Sequence, residues 1–355
     1  MRRLLRRVGA LLVVALMALL VVNTVLAAAR DQPVDGERLA PADLALVAEV
    51  ERLRAEYGDE IWPGFATADI GLVVYNDRFE FLVADRVPSG FESIDDSDRP
   101  YVRRPADDPQ AFGVDLGGLW AGSLPLYERM RRDYLRGMRN ELPPVLAQLF
   151  PVWLVDISPD LWTVGLLHEQ MHAFQATAAP GRWDRALSAY EHEDRYPYDD
   201  ATFARGWAAE GGALRSALEA STSDEACAAA STFLETRDER RRAIGLSPEL
   251  VAFEQDLEWL EGLAKHAEIR SYELAAGEPG AAAHGYRPGL PHWTGEFDRL
   301  RNGLASADGD LRFYLSGMAQ ARLLDRLDPA GAWRTLLEDL VPEDALAEAC
   351  GVIRS

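Results

Sequence analysis

Between Ser158 and Gly181 the chain carries two signals that leave one conformation open to it. Ser158-Pro159-Asp160 combines an N-cap residue, a proline at the first helical position and an acid in the first turn, and Pro180-Gly181 ends the helix that they open. In between, Val164, Leu167, Met171, Phe174 and Ala178 form an apolar stripe at helical spacing. Leu161, Gly165, His168, His172 and Gln175 form the stripe beside it. The spacing predicts a buried helix whose two histidines border the core, where unpaired imidazoles would be costly.

Those histidines belong to His168-Glu169-Gln170-Met171-His172, which fits H-E-x-x-H. Four residues apart on a helix, two imidazoles project from one side and can reach a single Zn²⁺. Glu169 is turned about 100° from His168, beside the metal, where a carboxylate can take a proton from an attacking water. A three-ligand site needs one further donor, and two carboxylates qualify. Glu210 lies on an otherwise apolar stripe of Phe203, Trp207, Leu214 and Ala217. Glu261 lies with Glu254, Glu258, Lys265 and Glu268 on a polar face, which is either solvated or lines a cleft.

His168-Glu169-x-x-His172 with Glu261-Gly262-Leu263-Ala264 downstream resembles the gluzincin metallopeptidases, including the Peptidase-MA-like group and the aminopeptidases whose ligand helix carries E-G-[FL]-A. The resemblance covers roughly residues 140 to 335 and implies a zincin-like catalytic body with Glu261 as third zinc ligand. It departs from the compact members in the long gap between His172 and Glu261. Glu210 also fits W-x-x-E-G-x-A, so it remains the alternative ligand. Whichever carboxylate does not bind metal is expected to orient a ligand histidine. Similarity also puts Tyr314 first as the group that stabilises an oxyanion, ahead of His292, His284 and Tyr272.

The remainder of the chain sets the frame. Residues 1–30 contain four arginines by position 7 and then no charge from Val8 to Ala29. At 1.5 Å per residue a helix of that length crosses a bilayer, so a single-pass anchor is expected, with the body outside the cytoplasmic membrane, or secreted if cleaved after Ala29. The chain holds 37 Lys plus Arg against 58 Asp plus Glu, a balance that disfavours a nucleic-acid partner. Its two cysteines, Cys227 and Cys350, allow one bridge or two free thiols.

An amphipathic helix is expected over Pro41 to Tyr57, a hairpin over Ile70 to Ala84 around Asn76-Asp77, and a surface loop over Asp85 to Phe112. A last strand is expected over Leu119 to Leu126, with helices beyond it. The expected architecture is α+β: an anchor over 1–30, a small α+β portion over 31–126 and a helical zinc-binding portion over 127–355. Arg237, Arg240, Arg241 and Arg242 are expected to pair with near neighbours such as Asp238 and Glu239, or to hold a substrate carboxylate. His192 is expected on an exposed loop.

The function expected is a zinc metallopeptidase acting on a peptide or protein substrate. The alternatives are a catalytically silent scaffold of the same shape and a membrane-anchored helical binding protein.

Overall fold

The computed structural model describes residues 2–94, 101–150, 157–287, 291–306 and 309–352. Six strands form one mixed sheet: β1 Gly71–Tyr75, β2 Phe79–Val83, β3 Glu92–Ser93, β4 Val102–Pro105, β5 Phe112–Asp115 and β6 Trp120–Pro125. Their order is β3-β4-β2-β1-β6-β5, with β1 and β6 parallel and every other pair antiparallel. The β1–β2 turn is the expected Asx-rich one, since Oδ1 of Asn76 accepts from the backbone N–H groups of Arg78 and Phe79, both at 2.8 Å.

The stretch from Asp85 to Phe112, expected as a loop, supplies β3, β4 and the first residue of β5. Its charges hide the alternation. Arg104 sits opposite Glu80 in the register and pairs with it across the strands, and Val102, two residues earlier on the same face, joins the apolar layer with Val73 and Leu82.

The helices are α1 Arg2–Arg30, α2 Pro41–Ile61, α3 Tyr127–Asn140, α4 Pro144–Leu149, α5 Pro159–Ala178, α6 Pro180–Ala189, α7 Ala201–Glu219, α8 Ser223–Ala243, α9 Pro248–Leu257, α10 Leu263–Ala276, α11 Pro291–Ser306, α12 Leu311–Leu327 and α13 Pro342–Ala349. Pro180 both ends α5 and opens α6, where its missing N–H costs nothing. Helix α5 is the axis of the molecule. It packs against β5 and β6 on one side and α10 on the other, with α2 alongside. Val47, Val50 and Leu53 of α2, Leu72 and Val74 of β1 and Leu167 and Met171 of α5 belong to one continuous core.

The sheet meets α5 at the turn that carries the histidines, and two glycines permit it. A Cβ on Gly122 of β6 would stand 2.4 Å from the backbone nitrogen of Gln170, and one on Gly113 of β5 would stand 2.9 Å from Cβ of His172.

The N-terminal segment requires a correction. Among the described residues no helix is long and apolar enough to cross a membrane, so neither the transmembrane helix nor the single-pass, extracytoplasmic placement built on it stands. The end of α1 instead docks on protein. Asn23 is buried and donates to the Gln148 carbonyl of α4 at 2.8 Å, Ala27 packs with Leu135 and Phe150, and Asp31 pairs with Arg136. Cys227 and Cys350 are joined in a disulfide that ties the residue after α13 back to α8.

Replacing Gly122 by valine should lower unfolding stability by about 1 to 3 kcal/mol or more, because the added methyls meet backbone rather than a side chain that can turn away. Gly137→Ala, on the exposed side of α3 with nothing within 4 Å, should be neutral or gain up to about 1 kcal/mol. Urea denaturation of the two variants beside the parent checks both signs.

Candidate metal centre

Three side chains from two elements converge. His168 and His172 leave α5 one turn apart, and Glu261 comes from the π-helical turn Glu258–Gly262 between α9 and α10. The extra residue in that turn re-aims its side chains, a device common at functional sites. Contact with α12 holds it in place: a Cβ on Gly262 would lie 2.5 Å from Cα of Gly317, so two glycines let the backbones touch. The same contact brings Tyr314, one turn before Gly317, over the site.

Oε2 of Glu261 lies 3.5 Å from Nε2 of His168 and 3.3 Å from Nε2 of His172. All three residues are buried, and their donor atoms fall within 4.8 Å of one another, so the cluster can hold a metal ion. The surroundings prepare those atoms for one. Nδ1 of His172 is 3.0 Å from Oε1 of Gln175, whose Nε2 is committed to the carbonyls of Trp259 and Leu260 at 2.8 and 3.2 Å. The amide oxygen therefore faces the imidazole, Nδ1 carries the proton, and the Nε2 lone pair points at the cluster.

Behind His168 stands Glu268. Its Oε2 lies 3.2 Å from Nδ1, and Lys265 holds its other oxygen at 2.7 Å. Tyr190 donates to Oε1 of Glu261 at 3.1 Å, which leaves Oε2 without a hydrogen bond among the described residues. An orphaned buried carboxylate oxygen between two imidazole lone pairs fits a cation.

Burial works against charge on His168, but the carboxylates of Glu261 and Glu268 beside its two nitrogens outweigh it and push the imidazole up to about 10. Burial would raise Glu261, but the imidazoles of His172 and His168 hold it well below the usual carboxylate range. Glu169, half-buried next to His168, is raised by burial against the pull of both imidazoles, and its Oε2 has no partner among the described residues.

Tyr314 stacks on His168 at 5.8 Å, and burial, with the Glu261 carboxylate nearby, raises its hydroxyl far above the ordinary tyrosine value. Phe112 of β5 lies 4.6 Å from the His172 ring and stacks with Trp183, forming an aromatic wall on the opposite side.

Glu210 is placed elsewhere. It is fully buried and accepts from Nε of Arg237 at 2.9 Å and from Arg240. Both arginines are committed to carboxylates distant in sequence. Arg237 also reaches Glu258 and Glu343, Arg240 reaches Glu254, and Arg241 reaches Glu254 and Glu343. Arg242 alone of the four stays exposed.

The Tyr272 hydroxyl is occupied with the backbone of Arg287. The side chains of His284 and His292 lie outside the described residues. His192 sits in the 3₁₀ turn Tyr190–Arg195, 3.3 Å from Arg195. The sequence reading missed Tyr190, which lies in no periodic stripe. In comparisons with protein-family models, with curated proteins and with solved structures, nothing matched this chain.

Glu254 yields a pH prediction. Burial would raise its carboxyl, but Arg240 and Arg241 bring it from 4.5 down to about 2. A depressed folded-state value means its contribution is complete above the unfolded value and is lost as pH falls from about 4.5 toward 2. Stability measured across that window should fall less steeply in Glu254→Gln, by up to about one proton's worth of slope.

Proposed function

We propose that the protein is a zinc-dependent hydrolase of peptide bonds, a metallopeptidase of the gluzincin kind. The observation that carries this reading is the spacing of its donors. Atoms bound tetrahedrally to zinc at about 2.1 Å stand about 3.4 Å apart, and the two imidazole nitrogens stand 3.5 and 3.3 Å from Oε2 of Glu261. Two nitrogens and one carboxylate oxygen, each steadied from behind, make a donor set that suits zinc and leaves a coordination position open.

Zinc, when bound, supplies Lewis acidity that polarises a carbonyl and eases deprotonation of an attacking water. The chain's own groups do the rest. Glu169, one residue along α5 from His168, accepts that proton and returns it to the leaving amine. Burial raises its carboxyl above the ordinary carboxylate value, which favours holding the proton between the two transfers. Tyr314, whose hydroxyl stays protonated, and Tyr190 reach over the Glu261 side of the cluster, where a donor can steady negative charge on the carbonyl oxygen. Phe112 and Trp183 close the other side and exclude water from the His172 ring.

Purified protein should contain about one zinc per chain, and a chelator should abolish cleavage of a mixed peptide substrate until zinc is returned. Glu169→Gln should keep the metal by elemental analysis and lose about 100-fold or more in kcat. Undiminished turnover in that variant sinks the mechanism. Glu261→Gln should lose zinc first, at least about tenfold in affinity.

A further inference from the structure

A second cavity, of about 460 Å³, lies behind α5, lined by residues of α2, the 67–70 segment, β1, β2 and Gln170. Gln170 stands two residues from His168, hence about 200° round the helix, so the cavity is on the far side of α5 from the metal centre. Two buried polar atoms of opposite kind belong to residues lining it. Oε1 of Gln170, a residue 1% exposed, has no donor among the described residues, and Nη1 of Arg54 has no acceptor. Folded proteins leave few such atoms unmatched, and a guanidinium N–H is among the costliest to leave so. The carboxylates of Glu51 and Asp85 act on Arg54 only at a distance and do not offset its burial.

The remaining lining is of two kinds. Ile70, Leu72 and Val83 make an apolar wall, and the exposed acids Asp69 and Asp85 stand at the rim. We propose that this cavity binds an apolar dipeptide with free termini. Its carboxylate accepts from Arg54, its amide N–H donates to Oε1 of Gln170, its side chains lie on the wall and its ammonium meets the acidic rim. The assignment rests on these groups alone and does not require the metal centre to be catalytic. A ligand held there touches the middle residue of the His168–His172 turn from behind.

Calorimetric titration of the full chain with Leu-Leu, in zinc-loaded and chelator-treated forms, tests it. Binding at one site in both forms is expected, weakened about tenfold or more for N-acetyl-Leu-Leu and for Leu-Leu amide, each lacking one terminal charge. Arg54→Leu and Gln170→Met should show losses of the same order, with zinc content unchanged. Absence of saturable binding, equal affinity for the blocked peptides, or binding that disappears with the zinc would overturn the proposal. The last of these would place the dipeptide at the metal centre instead. Because the blocked peptides are compared on the unaltered chain, the outcome does not depend on either variant folding.

Discussion

Arg237, Arg240 and Arg241 are buried, and they keep their charge only because Glu210, Glu254, Glu258 and Glu343 converge on them from four separate elements. Removing one partner from such a group leaves its mate charged in a dry interior, at a cost of about 3 to 5 kcal/mol. The group therefore acts as a geometric lock. It sets α7, α8, α9 and α13 against one another, and through Glu258, which Ser316 and Gln320 also hold, it fixes the π-helical turn and α12. Glu261 is three residues further along that turn, so the direction of its carboxylate derives from a salt-bridge cluster outside the His168, His172 and Glu261 group.

The two sides of the metal cluster are fixed by different physics. On the α5 side it is close backbone packing, with Gly113 and Gly122 drawing the sheet against the histidine turn. On the Glu261 side it is charge and hydrogen bonding, through Gln175, Glu268 and Tyr190. Gln175 joins the two, because one amide orients His172 and also grips the carbonyls of Trp259 and Leu260 just ahead of Glu261. A shift of the π-helical turn is thus felt at an imidazole on another helix.

Local signals carried far where one element explains itself. Helix α5, the Asn76 hairpin and α2 were legible because capping, periodicity and turn chemistry act over a few residues. The placement of His168 and His172 side by side, one turn apart, was legible for the same reason. What stayed hidden depends on partners distant in sequence. Glu254, Glu258 and Glu268 share a stripe with Lys265 that reads equally as solvated or as lining a cleft, and all three carboxylates are buried, against arginines of α8, Lys265 of α10 and the His168 imidazole of α5. Strand β4 was concealed because Arg104 is balanced by Glu80 on another strand. The choice between Glu210 and Glu261 also had no local answer, since both sit before a glycine on a helical stretch and only the position of Arg237 and Arg240 separates them.

The bond between Cys227 and Cys350 closes a ring of chain that includes Glu261 and Tyr314 but leaves His168 and His172 outside it. A protease that nicks the loop near Gly280 or the one at Asp328-Pro329 would cut the backbone of that ring without releasing either piece. The clipped protein would run as two fragments on a gel only after reduction, and after the nick near Gly280 it is Tyr314 that reduction would release, since His168, His172 and Glu261 all lie on the N-terminal fragment.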